Sequence, residues 1–513
     1  MRSRVRQLSP SRCLGLLLLS LSAASLGACS TTERGVDAFL NPVLEQDFEE
    51  LPIYPDDYAF FKSLFIADLH ADTLLFSRGL DGDTWGGEPI GHADIRRWKD
   101  GNVALQVLST VSQYADGTVR TINGKDFNCH HEEDRNLIDL LMWLQEVSEE
   151  TSDPIDRRQR YIEHQGQRLH SFRAGSEAVD LILTADDLMT AAETWKRDPD
   201  APLAALLAIE GLHFYNGREA TLQVLFDLGF RMASLTHHFD NRLGSSSTGC
   251  SRATTDGQGA DLSGTGRQAV LEMEEMGWTL DVAHASTATL SQALGIWESA
   301  VATADRKRPP VISHTGFQGQ CAYAIAQGYL DDDLKSREAC RLADERNSTE
   351  GEVLKVAKAG GVIGVIYWDK QHGFKPEEET ASPVLDGIVH TIERLDEALS
   401  KHHRPEGCGA ATETTCLQYP GSHYIALGSD WDGSVAVPLA ANAMHLLATK
   451  LRRATCRADQ EGCLERNNPG KRRFSDEDVR AIAGQNVCRV LLQSLPEGKG
   501  EETAIAFCKG LRR

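Results

Sequence analysis

Eight short apolar runs recur along the chain, separated by segments with the spacing of amphipathic helices. The runs span residues 65–70, 103–110, 204–210, 230–237, 279–284, 310–314, 361–367 and 424–430. Such runs are typical of strands buried on both faces, and their alternation with helices indicates an α/β fold with a parallel sheet. Eight strands also close a (β/α)8 TIM barrel. A doubly wound open sheet is the alternative, but no glycine-rich phosphate loop follows any run.

The spacing between the runs is uneven. Residues 111–203 are too many for one crossover, and apolar residues recur at helical spacing around 135–149 and 185–195. We therefore interpret this segment as an insertion after strand 2. The long polar segment 316–350 is expected to be an active-site loop. Near the C-terminus, Ser475 is expected to open a capping box before a terminal helix.

The N-terminus has the pattern of an export signal. Residues 1–28 combine a basic leader with a short apolar region, which predicts a signal peptide. Residues 26–29 resemble a bacterial lipobox, so Cys29 is expected to carry a lipid anchor; an ordinary signal peptide with an incidental cysteine is the alternative. Residues 29–55 are then a tether and 56–513 the barrel with its terminal helices. The expected location is the bacterial cell envelope, on the periplasmic face of the outer membrane.

Cysteine usage agrees with export. Ten of the 12 cysteines follow Cys29, and an even number in an exported chain favours disulfides. The sequence contains no CxxC motif, which argues against a cysteine-rich zinc site. The short spacings Cys408/Cys416 and Cys456/Cys463 predict local loop disulfides.

The charge balance excludes one class of partner. The chain has 53 Lys and Arg against 75 Asp and Glu, a formal net charge of −22. Nucleic-acid binding depends on cationic contacts to phosphate, so we expect no nucleic-acid partner.

Several of the apolar runs end in, or are followed closely by, residues that bind metals or exchange protons. These residues are His70, Asp72, Glu210, His237, His284, His314 and Asp430. In a barrel of parallel strands the carboxyl ends lie on one face, so these side chains would converge. Singly, each has an ordinary explanation: Glu210 could be a salt-bridged structural residue, and His284 or His314 a buried core histidine. Together they favour a metal site.

The composition of this set points to two ions. Imidazole and carboxylate ligands without thiolate suit zinc, and also manganese, iron or cobalt. The number of ligands exceeds the three protein ligands of a typical catalytic zinc. We therefore expect two divalent ions, of the zinc type, that share a carboxylate and hold a hydroxide between them.

The order and spacing of these motifs resemble the membrane (renal) dipeptidases, zinc enzymes with an amidohydrolase-like, metallo-dependent hydrolase barrel. The resemblance covers about residues 60–495. It rests on the segments 68–72, 209–211, 235–237, 281–286, 310–314 and 428–433, with support from 91–94 and 484–486.

The resemblance implies a role for each residue. His70 and Asp72 would bind one metal, His284 and His314 the other, with Glu210 bridging both. His237 would stabilise the oxyanion. Asp430 would pass a proton to the leaving amine, with Asp432 behind it. Arg346, followed by Asn347, would hold the substrate carboxylate.

The chain also departs from the family pattern. The stretch from Ser313 to Arg346 is longer, the loop after His237 lacks an expected tryptophan, and the strand 103–110 lacks an expected aromatic residue. These positions shape the pocket and so bear on substrate preference.

The expected function is metal-dependent hydrolysis of dipeptides through a bridging hydroxide. Another amide, lactam or N-acyl amino acid hydrolase on the same centre is the first alternative. A non-catalytic envelope-binding lipoprotein is the second, but Asp430 argues against it because a binding site needs no proton shuttle. The partners expected are a small dipeptide, a membrane through the lipid anchor alone, and a second copy of the chain, since family members are often dimers.

Overall fold

The computed structural model describes residues 26–44, 54–113, 119–122, 125–128, 137–145, 153–249, 261–303, 308–326, 334–372, 381–405, 416–455 and 472–513. The predicted signal peptide, apart from residues 26–28, lies outside the described residues, as do Cys408, Cys456 and Cys463.

Each of the eight predicted runs forms a strand. The strands are β1 (Ile66–Ala71), β2 (Val103–Val111), β3 (Leu203–Glu210), β4 (Phe230–Ser234), β5 (Thr279–Asp281), β6 (Val311–Thr315), β7 (Val362–Val365) and β8 (Ile425–Leu427). They pair in parallel in the order β2-β1-β8-β7-β6-β5-β4-β3, and pairing of β2 with β3 closes the barrel. The predicted (β/α)8 barrel is therefore confirmed, and every residue of these strands is buried.

Helices connect the strands and cover the barrel. The helices of the described residues are α1 (Leu26–Leu40), α2 (Pro55–Lys62), α3 (Ile95–Asp100), α4 (Leu137–Leu144), α5 (Pro154–Gly175), α6 (Ala185–Arg197), α7 (Glu219–Asp227), α8 (Gly264–Met276), α9 (Thr287–Thr303), α10 (Gln320–Ala326), α11 (Leu334–Arg346), α12 (Glu350–Lys358), α13 (Ala381–Ser400), α14 (Met444–Arg453), α15 (Asp476–Arg480), α16 (Asn486–Ser494) and α17 (Glu501–Lys509). The predicted capping box is present at α15, where the Ser475 hydroxyl accepts a hydrogen bond from the Asp478 amide.

The segment between β2 and β3 contains the two predicted helices, as α4 and α6, together with α5. A short strand, Val179–Leu181, pairs in parallel with the first residues of β3 and so extends the sheet beside the barrel. The polar segment 316–350, expected to be a loop, instead contains α10 and α11, and the Cys321–Cys340 disulfide joins these helices.

The residues assigned to a tether also contain regular structure. Helix α1 is buried against the barrel at Glu33, Val36 and Asp37, and Val43 forms a β-bridge with Val437. Helix α1 and the residues that follow it therefore pack on the barrel domain, because their side chains and backbone make contacts there.

The described residues contain a second disulfide, Cys488–Cys508, which links α16 to α17. Cys416 is also disulfide-bonded. None of the helices in the described ranges is long and apolar enough to cross a membrane.

Candidate metal centre

The carboxyl ends of five barrel strands bring the predicted ligands together. His70 lies in β1 with Asp72 just beyond it, Glu210 ends β3, His314 lies in β6, and His284 and Asp430 follow β5 and β8. All six side chains are buried. Potential ligand atoms lie within 4.8 Å of one another in each of three sets: His70, Asp72 and Glu210; Glu210, His284 and His314; and His70, His314 and Asp430.

The two oxygens of Glu210 face different ligand sets. Oε1 lies 3.0 Å from His284 Nε2 and 3.3 Å from His314 Nε2. Oε2 lies 3.8 Å from His70 Nε2, which is itself 3.5 Å from Asp72 Oδ2. One carboxylate therefore stands between a His–Asp pair and a His–His pair, as a bridging ligand does.

The donor set fits divalent cations. His70 Nε2, Asp72 Oδ1 and Glu210 Oε1 are buried and find no hydrogen-bond partner among the described residues, although burying an unsatisfied polar atom is costly. Imidazole nitrogens and carboxylate oxygens of this kind suit zinc and similar ions. These atoms are oriented for a partner of positive charge.

The electrostatics of the cluster lead to the same conclusion. Burial alone would lower the pKa of His70, but the carboxylates of Asp72, Glu210 and Asp430 raise it to about 10. Burial raises the pKa of Glu210 well above its usual range and that of Asp430 to about 8, while His70 opposes both shifts. Too little positive charge thus surrounds the buried carboxylates, and bound cations would supply it.

Backbone strain occurs at two of the converging residues. His284 and Asp430 have φ values of 60° and 62°, in the left-handed region that side-chain-bearing residues rarely adopt. Strained conformations persist where the surrounding structure holds them, and they are concentrated at functional sites.

The structure separates the two aspartates of the β8 loop. Asp430 Oδ1 lies 3.7 Å from His70 Nε2 and faces the ligand cluster. Asp432 instead pairs with Arg78, whose Nη2 lies 2.6 Å from Asp432 Oδ1, and accepts a hydrogen bond from the Thr73 hydroxyl at 2.6 Å. Asp430 therefore faces the ligand cluster, while Asp432 is engaged behind it.

His237 lies at the edge of the cluster, three residues beyond β4. Its Nε2 is 3.4 Å from Glu210 Oε2, and its amide donates to His213 Nε2 at 3.0 Å. Burial lowers its pKa well below the usual range, which favours the neutral imidazole. The ring of the half-buried His238 lies 4.1 Å from that of His237. His213 and His238 were not predicted from the sequence, because nothing in the strand pattern distinguishes them.

Arg346, at the end of α11, reaches the same face of the barrel. Its Nη2 donates a hydrogen bond to the His314 carbonyl at 3.1 Å. It lines a cavity of about 290 Å³ together with His284 and Asn347. The structure thus places the guanidinium next to the cluster despite the longer connection from β6.

Two buried aspartates below the cluster were missed in the sequence. Asp68 accepts hydrogen bonds from the amides of His70 and Ser429, and Asp281 accepts from the amides of Ala283 and Ser313. Both lie in buried strands, where an unpaired charge would be too costly. A carboxylate within such an apolar run therefore indicates either a functional residue or one that stabilises the backbone through hydrogen bonds, and this position is the feature by which the sequence could have identified them.

Comparison with known proteins gives the family context. The family described as "Membrane dipeptidase (Peptidase family M19)" matches residues 58–336. The chain is 25% identical over 335 residues to Dipeptidase verJ of Clonostachys rogersoniana, covering 63% of this chain and 65% of that protein. It is 28% identical over 239 residues to an uncharacterized dipeptidase of Schizosaccharomyces pombe, covering 46% and 43% of the two chains. The alignments thus span about two thirds or less of these relatives.

Two solved structures share the fold. A dipeptidase structure from the M19 metallopeptidase family superposes with a TM-score of 0.53 at 15% identity, covering 84% of this chain and 99% of that chain. A metallopeptidase from Rhodobacter sphaeroides, liganded with a phosphinate mimic of L-Ala-D-Ala, superposes with a TM-score of 0.52 at 15% identity and the same coverage.

Proposed function

The chain belongs to the membrane dipeptidase family, peptidase family M19, and from this premise we propose that it hydrolyses the peptide bond of dipeptides in a metal-dependent reaction. The observation that carries the proposal is the position of Glu210 between the His70–Asp72 and His284–His314 pairs. A single shared carboxylate with two ligand pairs is the arrangement that holds two ions close together.

The ligand assignment follows from that position. His70 and Asp72 would hold one ion, His284 and His314 the other, and Glu210 both. When bound, zinc-type ions would polarise the scissile carbonyl and provide a hydroxide nucleophile near neutral pH.

Three other side chains would act on the substrate. The Asp430 carboxylate, whose Oδ1 lies 3.7 Å from His70 Nε2, can take a proton from the nucleophile and deliver it to the leaving amine. The His237 imidazole can donate a hydrogen bond to the oxyanion of the tetrahedral intermediate. The Arg346 guanidinium, at the wall of the 290 Å³ cavity, can pair with the free carboxylate of a dipeptide.

The deciding assay is release of amino acids from a panel of L-L and L-D dipeptides. The protein would begin at residue 30 and be assayed with its metals, after chelation, and after readdition of zinc. We expect release that chelation abolishes and zinc restores. Asp430→Asn should lower kcat by about 10²- to 10⁴-fold with metal content retained. The exposed Asp100→Asn should match wild type.

The panel also separates this function from the alternatives. Release from N-acyl amino acids or lactams, but from no dipeptide, would identify a different amide hydrolase on the same centre. Absence of turnover on every substrate, by folded protein containing two ions per chain, would leave a binding lipoprotein.

We further propose that Cys29 is lipidated and anchors the exported protein to the outer membrane, facing the periplasm. The motif at residues 26–29 and the preceding leader support this proposal. Mass spectrometry of the N-terminal peptide should show an acylated Cys29, and Cys29→Ala should move the protein from the membrane to the soluble fraction. An unmodified Cys29 in membrane-associated protein would contradict the proposal.

A further inference from the structure

Residues 33–44, which we call the N-terminal segment, lie against residues 430–437, which we call the Asp430 loop. Three hydrogen bonds join their backbones and side chains: the Ser434 amide donates to Asn41 Oδ1 at 2.8 Å, the Leu44 amide to the Val437 carbonyl at 2.9 Å, and the Val437 amide to the Pro42 carbonyl at 3.3 Å. The loop that carries the proposed proton donor is thus attached to residues that precede the barrel.

A buried chain of charges makes a second connection. Asp37 Oδ2 accepts a hydrogen bond from Arg78 Nε at 2.7 Å, and Arg78 Nη2 lies 2.6 Å from Asp432 Oδ1. All three side chains are at most 1% exposed. Breaking a buried ion pair by removing one partner leaves an uncompensated charge in the protein interior, which is strongly unfavourable. The buried positive charge of Arg78 is therefore compensated by the carboxylates of both Asp37 and Asp432.

His92 strengthens the same connection. Its Nδ1 accepts a hydrogen bond from the Asp432 amide at 2.9 Å, which leaves the proton on Nε2, 3.2 Å from the Pro42 carbonyl. Its amide also donates to Asp432 Oδ1 at 2.5 Å. One residue of the loop, Asp432, is thus held by side chain and backbone at once.

The Asp430 loop needs such support because its backbone is strained. Asp430, Asp432 and Ser434 have φ values of 62°, 65° and 64°, so three of five consecutive residues are left-handed without being glycine. This conformation is unfavourable for residues with a side chain, and it persists only where contacts enforce it. The N-terminal segment holds two of the three, Ser434 directly and Asp432 through Arg78.

We propose that Asp37 is a positioning residue of the active site: through Arg78 and Asp432 it fixes the loop that presents Asp430. The proposal rests on the proposed function, since its kinetic consequence requires Asp430 to transfer a proton. The N-terminal segment is then part of the catalytic apparatus as well as the connection to the predicted anchor.

The chain offers a matched control on the same helix. Arg34 also joins α1 to the barrel, through an ion pair with Asp83 at 2.5 Å, but this pair is exposed and does not reach the Asp430 loop. Gly91 offers an independent disruption: its φ of 70° disfavours any side chain, and a Cβ there would lie 2.2 Å from Arg78 Nη2 and 2.7 Å from Asp432 Oδ1.

The experiment compares Asp37→Ala, Gly91→Ala and Arg34→Ala in the otherwise unchanged protein. We expect the first two to lower kcat about 10- to 100-fold, because a shift of about 1 Å in a reacting group has that effect. KM and metal content should stay at the wild-type values. Hydrogen–deuterium exchange should rise in peptides covering residues 430–437. Arg34→Ala should match wild type in every measurement.

The readouts separate the possible failures. Wild-type kcat per metal-loaded chain in Asp37→Ala, with unchanged exchange in the loop, would overturn the proposal. Loss of metal or of folded protein in proportion to activity would also overturn it, because Asp37 would then be a structural residue only. Faster exchange in the loop of an enzyme that hydrolyses no dipeptide would support the positioning of the loop and refute the proposed function instead.

Discussion

An added methyl group at Gly433 tests how closely the position of Asp430 governs turnover. An ideal Cβ at this residue would lie 2.2 Å from Asp430 Oδ1, whereas ordinary van der Waals contact begins at 3.4 Å. The carboxylate oxygen must therefore move by about 1.2 Å. Gly433 does not have a left-handed φ, so alanine fits its backbone. The clash is with the end of a side chain, which can turn away without unfolding the barrel.

The expected effect is on the reaction barrier. A displacement of about 1 Å in a catalytic group lowers the rate about 100-fold, which corresponds to about 3 kcal/mol of activation free energy. Asp72 Oδ2 lies 3.0 Å from the same Cβ and needs to shift by only a few tenths of an ångström, so metal binding should survive. Gly433→Ala should therefore lower kcat strongly while the metal content changes little.

The assay is steady-state hydrolysis of the best dipeptide, with kcat expressed per metal-loaded chain. Metal content and thermal unfolding would be measured on the same samples. Gly295→Ala is the control, since a Cβ there would meet no atom of the described residues within 4 Å beyond its chain neighbours and its own helix backbone. A kcat within threefold of wild type for metal-loaded Gly433→Ala would refute the assignment of proton transfer to Asp430 in this geometry.

Three further substitutions test separate parts of the site and fold. Glu210→Gln should reduce the bound metal from two ions per chain to one or none by elemental analysis, since an amide is a poor bridge between two cations; two retained ions would contradict the bridging role. Arg346→Lys should raise KM at least tenfold for dipeptides with a free carboxylate but not for their C-terminal amides, because lysine cannot make the bidentate contact; equal effects on both would exclude carboxylate recognition. His372 is buried, which lowers its pKa to about 4, while the unfolded chain has a value near 6.5. Its neutral form stabilises the fold fully above pH 6.5, and about 3 kcal/mol is lost as the pH falls toward 4. His372→Gln should therefore flatten the pH dependence of urea unfolding, and an unchanged slope would contradict this account.

The barrel was predictable because its strands are buried on both faces. Such strands read as continuous apolar runs, and eight of them leave few other architectures. The convergence of Glu210, His284 and His314 followed, since parallel strands place their carboxyl ends on one face. Each of these residues lies near the end of a strand, so the apolar run that precedes it in the sequence indicates its position.

The contacts behind the cluster were not predictable in the same way. Asp37, Arg78 and Asp432 are joined across 41 and 354 residues of sequence, and no periodicity links them. Helix α1 was predicted to be a tether because several of its contacts are made by polar side chains to distant loops, which leave no periodic apolar pattern in its sequence. Helix α11, within 316–350, was missed for a related reason: its sequence is polar, and tertiary contacts, including the Cys321–Cys340 disulfide, stabilise it.

The two buried aspartates explain how one barrel face can hold this much charge and strain. Asp68 ties the His70 amide in β1 to the Ser429 amide beyond β8, on the side of the His70–Asp72 pair. Asp281 ties β5 to β6 through the Ser313 amide, and the Ser313 hydroxyl bonds His314 Nδ1 at 2.9 Å. Each proposed metal-binding pair thus has its own carboxylate below it, which accepts amide hydrogens from two positions of the adjoining backbone. Because such hydrogen bonds fix the backbone independently of any bound ion, the ligands are held near their binding positions before the metal arrives. Preorganisation of this kind reduces the ordering cost of binding, and it is consistent with ligand atoms that remain buried and unsatisfied in the fold itself.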